Sequence, residues 1–145
     1  MACSSTAHAA SLLDLPLRDL LQGGTRTLGE HQSAVVAMLF APDCRYCHFQ
    51  VKHLNQWRFN QSEIDLAVVG LGVNGQLLAL KKEAFSLKAS FPLLMGSPAF
   101  TRQLGKVPAT PILVLLSREG HLMDFRRGVQ SLEALEHWLN GRQRY

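Results

Sequence analysis

The sequence predicts an α/β domain in which a central sheet is buried between helices. Three observations carry this. Ala34 to Phe40 and Ile64 to Val73 are apolar runs of strand length, the pattern of strands covered on both faces. Between and after them, apolar residues recur at helical spacing: Cys47, Val51, Leu54 and Trp57, then Leu77, Leu80, Ala84, Leu87 and Phe91. Towards the end, Pro111 opens the run Ile112 to Leu116, and Arg118-Glu119-Gly120 turns it back into His121 to Arg126 as a hairpin.

Taken in order, residues 1–10 are small and polar and are expected to be mobile. Ser11 to Leu21 carries many leucines interrupted by Pro16 and reads as a short helix or two turns, ended by Gly23-Gly24. Thr25 to Gln32 is a short strand or loop leading into the first buried strand. Pro42 and Asp43 break that strand, and a helix follows on which Lys52, Asn55 and Arg58 face water. Gln61 and Ser62 make a loop before the second strand, and Asn74-Gly75 makes a turn after it. The helix Gln76 to Ser90 turns Lys81, Lys82 and Lys88 outward. Pro92 to Met95 is a brief extended segment. Ser97 reads as an N-cap with Pro98 at the first helical position, and this helix stops at Gly105. Ser131 caps a last helix, with Leu132, Leu135 and Leu139 inward and Gly141 closing it.

Composition excludes several classes. With 47% hydrophobic and 18% charged residues, the chain is globular rather than disordered. Its 145 residues suit one domain with a full core. The net charge of +4 is spread out. Only Arg126-Arg127 and Arg142 with Arg144 cluster, as a solvated face would, so no nucleic-acid partner is expected. Three cysteines are too few for a disulfide scaffold. No apolar run is long enough to span a membrane. The start, MACSSTAHAAS, has no basic segment and no long apolar core, so it does not read as an intact signal peptide. The expectation is a cytosolic protein, or one whose targeting segment lies outside this sequence.

The chemistry concentrates at Cys44 and Cys47, placed at the first turn of a helix just past a buried strand. The first N–H groups of a helix have no internal partner, and the helix dipole is positive there. Both favour a thiolate, and cysteines so placed have pKa values lowered from about 8.5 into the range of roughly 3.5–7.5. Arg45 adds a positive charge in the same sense; Asp43 opposes it. The two-residue gap lets one sulfur resolve a mixed disulfide made by the other, so the pair can cycle between dithiol and disulfide. Cys44 precedes the helix and is assigned as the attacking, more exposed thiol. Cys47 is on the inner face and is assigned as the resolving one. This reading calls for no cofactor and no metal.

Three other readings compete. Buried cysteines can be inert small hydrophobes. One Cys-x-x-Cys is half a zinc site, which Cys3 and the histidines do not complete at ligand spacing. Cys44-Arg45-Tyr46-Cys47-His48 also matches the haem c attachment pattern. The strand before the motif and the βαβ order around it favour the redox reading.

This order, a Cys-x-x-Cys at the first helix and a proline before the hairpin, resembles the thioredoxin superfamily over roughly Thr25 to Leu139. The resemblance implies a thioredoxin fold with a central mixed sheet flanked by helices. It divides the chain into a partly flexible N-terminal extension, residues 1–24, and a thioredoxin-like domain, residues 25–145. The segment KVPATPILVLLSREGHLMDFRRG is similar to the family's cis-proline and hairpin segment. Pro108 and Pro111 compete for the cis-proline. Pro111 is chosen because it directly precedes the strand and is spaced from Gly120 as in the TlpA/ResA-type branch. There it would sit against the cysteines and leave the backbone of Thr110 free to pair with an extended substrate. The helical segment from Gln76 to Leu104 is similar to the TlpA/ResA-type insertion before that strand. The active-site string with Thr110-Pro111 looks like the periplasmic disulfide isomerases and the TrbB-like proteins of conjugative transfer.

The resemblance implies a thiol-disulfide oxidoreductase acting on protein substrates, outside the cytoplasm of a bacterium, with a redox partner that resets the pair. Reduction is favoured over isomerisation, since isomerases often add a dimerisation domain, for which this sequence has no room beyond its first 33 residues. A redox-independent binding module of a secretion or conjugation assembly is the alternative. Cys3, followed by two serines, resembles the lipidated residue of bacterial lipoproteins. Two departures stand out: Asp43 replaces the Trp before the first cysteine, and apolar Met38 replaces a buried Asp that serves as proton acceptor. Tyr46 is expected to pack over the site or contact substrate. His48 reads as a solvated first-turn residue, with a proton relay or a surface charge beside the sulfurs as its functional alternatives.

Overall fold

The computed structural model describes residues 11–61 and 64–140. The expectations placed on residues 1–10 (Cys3 among them), Ser62, Gly141, Arg142 and Arg144 lie outside the described residues. Among the described residues, seven strands form one mixed sheet: β1 (Leu17–Asp19), β2 (Thr25–Arg26), β3 (Ala34–Phe40), β4 (Leu66–Gly72), β5 (Leu93–Met95), β6 (Ile112–Leu116) and β7 (Leu122–Arg127). Their spatial order is β2-β1-β5-β4-β3-β6-β7. β4 is parallel to β3 and to β5, while β6 runs antiparallel to β3, as β7 does to β6. Four helices flank the sheet: α1 (Arg45–Asn60), α2 (Leu77–Leu87), α3 (Pro98–Leu104) and α4 (Leu132–Leu135), the last continuing as a wider π turn through Glu136–Asn140.

β3 lies inside the sheet between β4 and β6, and all seven of its residues are buried. Because successive side chains point to opposite faces, its even positions Val36, Met38 and Phe40 join one cluster with Val51, Leu54 and Trp57 of α1, Leu80 of α2 and Leu135 of α4. Its odd positions Val35, Ala37 and Leu39 join a second cluster with Leu12, Leu17, Leu28 and Phe100. That two-sided cover is why the strand reads as an unbroken apolar run. Val51 and Leu54 are at most 1% exposed, and each such burial contributes about 1.5–3 kcal/mol.

The segment Ser11 to Leu21 differs from its expectation. Turns occupy its first half, but Leu17–Asp19 is a strand, paired to β2 and to β5. Leu17 and Asp19 point inward and Arg18 outward, a period of two that the dense leucines conceal. Asp19 Oδ1 accepts hydrogen bonds from the N–H groups of Leu21 and Gln22, which shapes the turn into β2. Leu17–Asp19 is thus part of the sheet, and Leu12, Leu15 and Leu17 pack on one of its faces. Within the inserted segment between β4 and β6, β5 lies between α2 and α3, where the sequence predicts a brief extended stretch at Pro92 to Met95. In the last helix Trp138 is buried beside Leu135 and Leu139, and its indole N–H donates to Asp124 Oδ2 at 3.0 Å. Leu132 is partly buried and packs against the same cluster.

Candidate functional site

The site forms where β3 ends and β6 begins. These strands are antiparallel neighbours with Leu39 opposite Ile112, so the residue after β3's turn and the residue before β6 arrive together from distant parts of the chain. Cys44 is the N-cap of α1, and its Sγ accepts a hydrogen bond from the Cys47 N–H at 3.2 Å. The free N–H groups of a first turn are thereby aimed at the sulfur, as anions are held at helix starts. Cys44 and Cys47 are joined as a disulfide, with Cα atoms 5.3 Å apart. Cys44 is partly exposed, whereas Cys47 is fully buried in the core under α1.

Across the site the Thr110–Pro111 peptide is cis, and Pro111 is buried. The Thr110 hydroxyl donates to Cys44 Sγ at 3.2 Å. Pro111, rather than Pro108, is therefore the proline that faces the cysteines. Pro108 instead lines a small groove on the far face of the sheet with Val107, Ile112 and Phe125.

The other expected residues surround this centre unequally. Arg45 and Tyr46 are exposed on the first turn of α1, Tyr46 by 62%. The Tyr46 ring lies 6.3 Å from that of Phe49, which is also exposed. Asp43 is exposed and has a left-handed backbone, φ 57°, which bends the chain from β3 into α1. Met38 is fully buried among apolar side chains beneath the helix, so the thioredoxin-type carboxylate has no counterpart there. Among the described residues, no group of three His, Cys, Asp or Glu side chains could hold a metal ion.

Two buried polar side chains were not singled out from the sequence. Glu83, on α2, accepts the Asp43 N–H at 3.0 Å through Oε1 and meets His48 Nε2 at 3.1 Å through Oε2. His48 is therefore held by a partner, with its side chain still 42% exposed. Gln50 is fully buried one turn below the cysteines; it donates to Gln130 O and accepts from Gln130 N–H, tying α1 to the entry of α4. A signal existed for both. Leu80, Glu83 and Leu87 share one helical face, as do Cys47, Gln50 and Leu54. A polar residue on an apolar face must find a partner inside.

No protein-family model and no curated protein sequence matches this chain. Solved structures do match it in shape. A thiol:disulfide interchange protein of the thioredoxin family from Chlorobium tepidum superimposes with a TM-score of 0.73 at 16% identity, over 90% of this chain and 94% of that one. A secreted Mycobacterium tuberculosis disulfide oxidoreductase, homologous to E. coli DsbE, gives 0.69 at 17% identity, over 89% and 96%. The exposed lipoprotein thioredoxin of Streptococcus pneumoniae gives 0.72 at 17% identity, over 88% and 98%. This likeness of shape agrees with the strand order and with the cysteine-led helix facing a cis-proline: the chain has the thioredoxin fold.

Proposed function

We propose that this protein is a thiol-disulfide oxidoreductase that reduces disulfides in protein substrates outside the cytoplasm. One observation carries the reading: a Cys44–Cys47 disulfide at the start of α1, with the more exposed sulfur held against the Thr110 hydroxyl. The fold supports it, as do the neighbours in shape, one secreted and one an exposed lipoprotein.

In the reduced protein the Cys44 thiolate attacks a substrate disulfide. One substrate sulfur leaves as a thiolate, and Cys44 remains bonded to the other. Cys47 then loses its proton and attacks Cys44, releasing the second substrate sulfur and forming the Cys44–Cys47 disulfide. Two electrons have passed to the substrate, so a redox partner must return two electrons for the next cycle. The roles follow from exposure: a substrate can reach Cys44, whereas Cys47 is reached only from within the pair. The Thr110 backbone next to Pro111 offers a strand-like edge for an extended substrate segment, and the exposed Tyr46 on the first turn of α1 supplies an aromatic contact for it. Arg45 and Asp43 act on the thiolate with opposite signs, and both are screened by solvent.

Cys44→Ser abolishes reduction of insulin, and Cys47→Ser accumulates mixed disulfides detectable on non-reducing gels. Equal trapping by the two variants would refute the role assignment. A midpoint near −270 mV supports reduction, and one near −120 mV places the protein among strong oxidants. Haem attachment to Cys44 and Cys47 would consume both sulfurs that this exchange needs, and a Soret band in the purified protein would reveal it.

A further inference from the structure

Glu83 is an acidic side chain only 8% exposed, on a helix face otherwise given to Leu80, Ala84 and Leu87. A carboxylate in that position is costly unless it is bonded. Both of its oxygens face the cysteine end of α1: Oε1 accepts the backbone N–H of Asp43, the residue before Cys44, and Oε2 meets the imidazole of His48, the residue after Cys47. One side chain from α2 thus brackets the motif. The bond to Asp43 also fixes the residue whose left-handed backbone aims the chain into α1.

We propose that Glu83 is a positioning residue of the cysteine pair: it fixes the turn that presents Cys44, and its charge weights the pair towards the disulfide. This rests on the thiol-disulfide exchange reading above. Reduction of the pair takes up two electrons and one proton and leaves a Cys44 thiolate beside a Cys47 thiol. The new negative charge is favoured by the N–H groups of the first turn of α1 and by Arg45. It is opposed by Asp43 and Glu83. Asp43 and Arg45 are exposed, so water screens them, whereas Glu83 is buried and screened far less. The disulfide carries no charge and feels no such repulsion. His48, bonded to the same carboxylate, offsets part of its field.

The test uses the whole protein equilibrated with glutathione buffers at pH 7, with the dithiol fraction read by alkylation and mass. Glu83→Gln keeps an oxygen to accept the Asp43 N–H and removes the charge. It is expected to move the equilibrium towards the dithiol by about tenfold, or about 30 mV more positive for this two-electron couple. His48→Ala alters an exposed side chain, leaves the carboxylate without its imidazole, and is expected to move the equilibrium the opposite way. An unchanged equilibrium in Glu83→Gln, or shifts of the same sign in both variants, would overturn the proposal. The comparison is independent of turnover: a wild-type protein that equilibrates with glutathione yet reduces no protein disulfide would sink the oxidoreductase reading and still report on Glu83.

Discussion

Thr110→Val gives a direct measure of what the β6 side of the site contributes to the sulfurs. Valine is close to threonine in shape, so the change removes the hydroxyl with little change of packing. In the disulfide, Cys44 Sγ is a weak neutral acceptor of that hydroxyl. In the reduced pair the same sulfur is a thiolate, and a hydrogen bond to a charged acceptor is roughly twice as strong as a neutral one. Net hydrogen bonds contribute about 0.5–1.5 kcal/mol, and those to charged groups about 1.5–3 kcal/mol. The difference between the two redox states is therefore about 1–1.5 kcal/mol, lost entirely from the reduced side. At about 1.4 kcal/mol per 30 mV, the midpoint of Thr110→Val falls by about 20–30 mV and the protein becomes more reducing. Equilibration with glutathione, read by alkylation and mass, measures it. Thr110→Ser retains the hydroxyl and stays near the wild-type value. An unchanged or more positive midpoint in Thr110→Val would show that the hydroxyl does not favour the thiolate.

Two further expectations concern the scaffold. A Cβ at Gly70 of β4 would collide with Leu93 Cδ2 and lie 3.3 Å from Phe40 Cε1, both in side chains without exposure, so Gly70→Ala costs about 1–3 kcal/mol in denaturant unfolding, and a neutral result would mean that this core yields freely. Asp124 has its pKa held below the usual carboxylate value: burial raises it, but the Phe125 N–H, the Trp138 indole and Arg126 together outweigh burial. Its contribution is therefore full above the unfolded value of about 3.9 and is lost as pH falls through the folded one. Asp124→Asn costs about 1 kcal/mol at pH 7, and the gap to wild type narrows towards pH 3; a gap constant with pH would refute the assignment.

Local chemistry made much of this protein legible. The bounds of β3 could be read because a strand buried on both faces admits only apolar residues. The cap of α3 was legible because Ser97 and Pro98 act within one turn, and its Phe100 N–H does bond to Ser97 Oγ. The first strand was not, because its pairing partners on β5 lie far along the chain and three residues are too few to display a period of two. The π turn that continues α4 escaped for a similar reason: the buried Trp138 indole bonds to Asp124 of β7, which no local pattern names.

At the site the same division holds. Sequence alone determined that two sulfurs sit at a helix start behind a buried strand, because spacing and helix polarity are local properties. It could also point to Pro111, through the segment that follows it. Only the tertiary structure decided that Thr110 touches Cys44, since the antiparallel pairing of β3 with β6 brings them together across 66 residues. Only the packing of α2 against α1 decided that Glu83 spans the cysteine motif, holding the backbone before it and the imidazole after it. A buried charge must find its partners in space, and the chain that supplies them is not adjacent in sequence.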